Sequence, residues 1–215
     1  MTDRKVVPFN PLDKIHLAES VGQAILRRPA EPLSEMGRFA GAGLYAIYYT
    51  GDFPAYGAIA KRNRGGNFLA PIYVGKAVPK GARKGGDLEA TPGQVLYSRI
   101  KQHRRSIEEA QNLNLDDFHC RYLVVDDIWI PLGEALLIAR LNPLWNKLID
   151  GFGNHDPGKG RHAGLRPRWD VLHPGRPWAK RCQPRDETAE QIIREARDYL
   201  RNNPPPEDAT DMITE

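Results

Sequence analysis

GLYAIYYT at residues 43–50 and PIYVGKA at residues 71–77 are the two stretches on which the fold turns. Both are short apolar runs dominated by Tyr, Ile and Val, the composition of strands. Each holds a triplet of one tyrosine and one glycine, Gly43-Leu44-Tyr45 and Tyr73-Val74-Gly75. On adjacent strands the two phenols can lie side by side. Beyond them, Val95, Leu96, Ile100, Ile107 and Ala110 recur at helical spacing within residues 92–111, opened by the capping-box pattern Thr91-Pro92-Gly93-Gln94. FHCRYLVV at 118–125 reads as a third strand. Residues 131–141 read as a short helix with Leu132, Ala135, Leu136 and Ala139 facing inward. The order strand, strand, helix, strand, helix predicts an α+β domain.

Outward from this core, Asn10-Pro11 opens a helical pattern with Ile15, Ala18, Val21 and Ile25, running to about Arg28. Residues 51–70 are far too long for a tight hairpin connection and carry Lys61, Arg62 and Arg64 beside Gly65-Gly66. Long connections in compact domains are usually functional or disordered. The basic cluster favours a DNA-contacting insertion here. Residues 150–170 (DGFGNHDPGKGRHAGLRPRWD) show no periodicity and read as loop. Thr188-Ala189-Glu190-Gln191 is a second capping box, before the stripe Ile192, Ile193, Ala196, Tyr199 and Leu200. The Pro-rich acidic end, 202–215, has the composition of a disordered tail.

Composition sets the bounds. A chain of 215 residues with 40% hydrophobic content suits one domain with appendages. The division expected is a single domain over 1–185, with its core at 41–148, and a C-terminal helix and tail over 186–215. No apolar run approaches a membrane span, and MTDRKVVPFN has no apolar signal region, so a cytoplasmic setting away from membranes is expected. Cys120 and Cys182 form no metal-binding or disulfide pattern. Residues 186–215 hold nine acidic and three basic side chains; against the chain's net +4, the other 185 residues carry +10. A basic body of that kind fits a polyanionic partner.

The chemistry-bearing residues are Tyr45, Tyr73, Lys76, Arg99, His103, Glu134 and Asn146. Arg99 and His103 are four apart and share a helix face. Phosphodiester hydrolysis needs an activated water, stabilised phosphoryl oxygens and help for the leaving oxygen. A phenol polarised by Lys76 or His103 can take a proton. A guanidinium can hold a phosphate bidentately. One carboxylate suits Mg²⁺, which keeps waters and takes phosphate oxygens. Singly, each residue has an ordinary structural explanation; their order and placement are what make a site.

That order resembles the GIY-YIG nuclease family: Gly43-Leu44-Tyr45, Tyr73-Val74-Gly75, Arg99 through His103, Glu134 and Asn146 follow its pattern over about residues 41–148. Leu44 and Val74 stand where the family has isoleucine. The resemblance implies a compact core with a small mixed or antiparallel three-stranded sheet between helices. GAGLYAIYYTG, PIYVGKAVP, PLWN and DGFGNH look like the type II restriction endonuclease branch, in particular enzymes cutting CCGCGG, over a stretch ending near Cys182.

The resemblance implies that Tyr45 activates water, Tyr73 hydrogen-bonds within the site, and Arg99 binds the scissile phosphate. His103 would assist proton movement, Glu134 would be the one protein ligand of a single Mg²⁺ (Mn²⁺ being a substitute), and Asn146 would brace the site. Tyr45 and His103 both remain open as the base. A palindromic double-stranded DNA target implies a homodimer, and a restriction enzyme implies a companion DNA methyltransferase. Candidate DNA contacts are Arg62, Arg64, Arg104, Asn154, His155, Lys159, Arg161 and Arg166. A homing or repair-type endonuclease would carry further modules, whereas here the extra residues sit in and around the core. A non-catalytic DNA-binding protein is disfavoured because no expected catalytic position is replaced. A histidine-based metal site at His155 and His162 has no framing pattern.

Overall fold

The computed structural model describes residues 10–79, 93–156, 158 and 163–207. Lys159 and Arg161, the first half of the Thr91–Gln94 capping pattern, His162 and most of the acidic tail lie outside the described residues.

Along the chain, α1 (Lys14–Leu26) leads to a two-residue strand β1 (Glu31–Pro32) and the first tyrosine strand β2 (Gly43–Tyr49). Next come α2 (Gly57–Asn63) and the second tyrosine strand β3 (Pro71–Ala77). Then follow α3 (Val95–Glu109), β4 (Phe118–Val124), α4 (Ile130–Leu141), α5 (Leu144–Lys147), α6 (Arg168–Leu172) and α7 (Ala189–Asn202). The sheet order is β1-β4-β2-β3, with every pairing antiparallel. The expected three strands are present; β1 adds a fourth, too short and too Pro-containing to be read from sequence. No described helix is long and apolar enough to cross a membrane.

Every residue of β2 is buried, because the strand is central and covered on both faces. Its alternation sorts the core. Tyr45, Ile47 and Tyr49 enter one cluster with residues of α3, α5, α6 and α7, while Leu44, Ala46 and Tyr48 enter a second with residues of α1 and α4. Each fully buried apolar side chain of this kind contributes about 1.5–3 kcal/mol. Gly133 lets α4 approach closely: a Cβ there would lie 2.6 Å from both Leu44 Cδ1 and Val21 Cγ1.

Two segments pack more closely than their sequence patterns show. The connection 51–70 is an ordered insertion: α2 packs beside β2, and the buried Asn63 side chain bonds the backbone of Tyr49 and Ala70 at 2.8–2.9 Å. The C-terminal helix is not an appendage. Thr188 and Gln191 form the expected capping box, and Ile192, Ala196 and Leu200 are buried in the larger core cluster. The amphipathic helix of the expected segment 186–215 therefore shares a core with the residues before it. The apolar stripe is legible in sequence, but sequence spacing cannot show what it packs against.

Candidate active site

Antiparallel register places Tyr45 of β2 opposite Gly75 of β3. The Tyr45 ring crosses over that glycine, and a Cβ on Gly75 would sit 2.5 Å from Tyr45 Cζ, so the second triplet needs its glycine to make room for the first triplet's tyrosine. Tyr73, two residues before Gly75 on the same face, brings its ring within 6.2 Å of Tyr45, as the strand pattern predicted.

α3 covers this face. His103 projects from it into the core, 1% exposed, and its Nε2 lies 2.6 Å from the hydroxyl of Tyr45, itself 0% exposed. Phe152 stacks on the imidazole at 4.5 Å and meets Tyr73 edge-on at 5.0 Å. Arg99, one turn before His103, is half-buried at the rim. Its Nη2 donates to Gly153 O at 3.0 Å and its Nη1 to His155 Nε2 at 2.5 Å. Gly153 is tight as well: a Cβ there would be 2.9 Å from Tyr73 Oη and 3.1 Å from Arg99 Nη2.

Burial governs the charge states. Desolvation holds His103 well below the usual imidazole range, reinforced by the positive charge of Arg99. Desolvation, then the neighbouring Tyr73 phenol, lifts Tyr45 well above the usual phenol range, while Arg99 opposes the rise. The resting pair is a neutral phenol hydrogen-bonded to a neutral imidazole. This corrects the expectation of a phenolate favoured by Lys76 or a charged His103. Lys76 is adjacent in sequence to Gly75 and so points to the opposite face, where its Nζ lies 2.6 Å from Glu134 Oε2. Arg99 is the cation that bears on Tyr45.

Glu134 comes from α4, in the layer opposite α3. Its carboxylate meets Lys76 of β3, the edge strand; the Tyr73 phenol is raised by burial first, against the opposing Arg99, and the Glu134 charge adds to the rise. Asn146 of α5 caps that edge: its Oδ1 accepts from Val74 N at 2.7 Å and its Nδ2 donates to Val74 O at 2.8 Å, pairing as a further strand would. The site thus straddles an edge strand, with Tyr45, Tyr73, Arg99 and His103 on one face, Asn146 on the edge and Glu134 arriving from the other face.

The candidate DNA contacts divide. Asn154 and His155 are exposed beside Arg99 and line an open groove of about 550 Å³ with Gly153, Leu165 and Trp178. His155, by accepting from Arg99, is held below the usual imidazole range, by burial first and then by that guanidinium. The other candidates among the described residues are engaged elsewhere. Arg62 pairs with Glu207; Arg64 donates to Thr50 O, Gly51 O and Asp52; Arg104 donates to Ser34 O and Glu108; Arg166 donates to Ala179 O. Phe152, the Gly153 carbonyl and Arg176 were not singled out by sequence, because an aperiodic glycine-rich stretch carries no signal of what it packs on.

Glu134 is the carboxylate whose charge bears on Tyr73, and no group of three or more His, Cys, Asp or Glu side chains gathers as a metal cage among the described residues. A search of curated proteins gives no match. A family model of the Eco29kI GIY-YIG domain matches residues 37–200, past Cys182 and through nearly all of α7. With both tyrosine strands, α3, Glu134 and Asn146 inside that match, the chain belongs to the Eco29kI GIY-YIG family, a type II restriction endonuclease family, and carries a nuclease domain.

Proposed function

We propose that the protein is a type II restriction endonuclease that hydrolyses double-stranded DNA at a short GC-rich palindrome, CCGCGG being the first candidate, with Mg²⁺ as cofactor. The observation that carries this reading is the convergence of the Tyr45–His103 pair, Tyr73 and Arg99 on one face of β3, with Glu134 reaching the same place from the other.

The donor set suits Mg²⁺. One carboxylate can ligate the ion while water and phosphate oxygens fill the remaining positions. The contact of one Glu134 oxygen with Lys76 leaves other carboxylate lone pairs for a metal. When bound, Mg²⁺ would stabilise charge on the scissile phosphate and the leaving 3′ oxygen. The remaining work falls to the chain. Arg99, with its guanidinium at the rim, holds the phosphate by charge-assisted hydrogen bonds. His103 Nε2 takes the Tyr45 proton as the Tyr45 oxygen takes one from the attacking water. The water oxygen bonds to phosphorus, the bond to the 3′ oxygen breaks, and the proton ends on the imidazole. The neutral resting pair is the state that can begin this relay. Tyr73 lines the approach to the buried Tyr45 hydroxyl, and Asn146 keeps β3 in place.

A palindromic target calls for two such sites about a twofold axis, hence a homodimer on DNA, and a companion methyltransferase protecting the host genome. The groove beside Arg99, with Asn154 and His155 at its lip, is the surface for the duplex. Incubation with unmethylated plasmid and Mg²⁺, followed by sequencing of fragment ends, tests the whole reading. Discrete ends at one palindrome are expected. Random nicking would remove the restriction assignment, and intact DNA would remove the nuclease mechanism.

A further inference from the structure

The segment Gly151–Asn154 lies between two arginines. From the active-site side, Arg99 takes the carbonyl of Gly153. From the inner side, Arg176 takes the carbonyls of the other three. Its Nη2 donates to Gly151 O at 2.8 Å, and its Nη1 to Phe152 O at 3.2 Å and Asn154 O at 3.1 Å. Its remaining donors grip Asp170, Nε to Oδ1 at 2.7 Å and Nη2 to Oδ2 at 2.5 Å. All five guanidinium N–H groups are therefore committed.

Arg176 is also fixed in its plane. It is 1% exposed, and its guanidinium carbon lies 4.6 Å from the Trp169 ring and 4.7 Å from the Trp178 ring. A charge so buried would be costly without full pairing, and a packed apolar pair could fill the same space at less cost. What an apolar pair could not do is hold three carbonyls of this turn in a set direction. Those carbonyls belong to the short ribbon that carries Phe152 and Gly153 and leads into His155, the residues in contact with His103 and Arg99. Phe152 stacks on His103, the Gly153 carbonyl receives Arg99, and His155 receives its other terminal nitrogen.

We infer that Arg176 is a positioning residue of the nuclease site: braced by Asp170, it holds the Gly151–Asn154 ribbon so that Phe152, Gly153 and His155 aim Arg99 and seat His103. The inference rests on the proposed function for its kinetic consequences, but its structural consequence can be read without cleavage.

Three measurements test it. Arg176→Lys keeps the charge and loses the planar fork. Single-turnover cleavage should fall about 100-fold, yet by less than about threefold when the same change is made in an Arg99→Lys background, because a residue acting through Arg99 has little left to lose. Equal losses in the two backgrounds would overturn the role. Amide exchange at Asn154, whose N–H donates to Gly151 O at 3.0 Å, should quicken in Arg176→Lys while the Ile47 amide in β2 keeps its protection. Native exchange at Asn154 would overturn it whether or not the protein cuts DNA. Should the lysine variant not fold, the paired replacement Asp170→Leu with Arg176→Met removes both charges together; it should stay folded and lose cleavage and Asn154 protection to the same degree. Native cleavage by that folded pair, or loss of folding in both variants, would assign Arg176 to the core alone. A native protein that cuts no duplex would sink the nuclease reading and leave the exchange measurement to decide this one.

Discussion

Two tyrosine–histidine pairs sit in the core with the same contact and opposite meanings. Tyr45–His103 and Tyr56–His173 each bring a phenol oxygen within 2.6 Å of an imidazole Nε2. All four side chains are at most 1% exposed. In the second pair every valence is occupied by a neutral neighbour. Trp145 Nε1 donates to the Tyr56 oxygen at 2.9 Å, and the His173 Nδ1–H donates to Asn112 Oδ1 at 2.9 Å. Asn112 is itself oriented by donating to Leu172 O. That pair stitches α2, α5 and α6 together. The first pair instead lies under Arg99, beside Tyr73 and near the edge where Glu134 arrives. A buried hydrogen bond between tyrosine and histidine is a structural part until charged groups and an open rim are placed next to it.

The largest expected effect separates the pairs through their surroundings. Glu134→Gln removes the single acidic ligand and should lower cleavage by at least about 1,000-fold. Metal-free DNA binding should change little and the melting temperature should fall only slightly, because glutamine keeps the side chain's size and an oxygen that can accept from Lys76. Cleavage near the native rate would detach the first pair from any metal chemistry.

Removing one hydroxyl from each pair is the direct comparison. Tyr45→Phe should cost about 100- to 10,000-fold in cleavage and on the order of 1 kcal/mol in stability, from one unpaired imidazole nitrogen. Tyr56→Phe should reverse the pattern, losing about 2–3 kcal/mol because Trp145 and His173 both lose a partner, with the cleavage rate of the folded protein retained. Denaturant melts and single-turnover kinetics on both variants check this. Equal kinetic losses would erase the distinction.

Gly75→Ala addresses only the first pair. The new Cβ meets the Tyr45 ring, and overpacking of this sort costs about 1–3 kcal/mol. The displaced phenol should reduce cleavage by about 10- to 100-fold. A melting curve with a rate measurement shows whether the two losses occur together.

Acid is the mildest probe and acts on both pairs. Burial pushes His173 from 6.5 down to about 3 and holds His103 well below its ordinary range. The unfolded chain therefore binds protons that the folded protein refuses. For His173, stability is full above about pH 6.5 and is lost progressively as pH falls toward 3, by about 1.4 kcal/mol per pH unit, and His103 adds to the loss in the same direction. His173→Gln should flatten the melting temperature's dependence on pH over that window. An unchanged slope would mean that this imidazole is not held neutral.

Much of this was legible before any coordinates. The short apolar runs GLYAIYYT and PIYVGKA, rich in Tyr, Ile and Val, mark both strands, and the second spans 71–77 as read. The four-residue spacing of Arg99 and His103 put them on one helix face, and Thr188 with Gln191 announced the start of α7. Such features depend on neighbours within one turn or one strand, and sequence reports those directly. Sequence also named Tyr45, Tyr73, Arg99 and His103 as candidates, and the fold brings these four together.

Tertiary structure decided what each of them faces. Strand register turned Lys76 away from Tyr45 and toward Glu134, and set Gly75 beneath a phenol. Burial made the imidazole and the phenol neutral. Packing drew α7 into the core and set an aperiodic ribbon between Arg99 and Arg176. None of this has a local signature. It follows from which surfaces meet across long separations, and from the dielectric those meetings create.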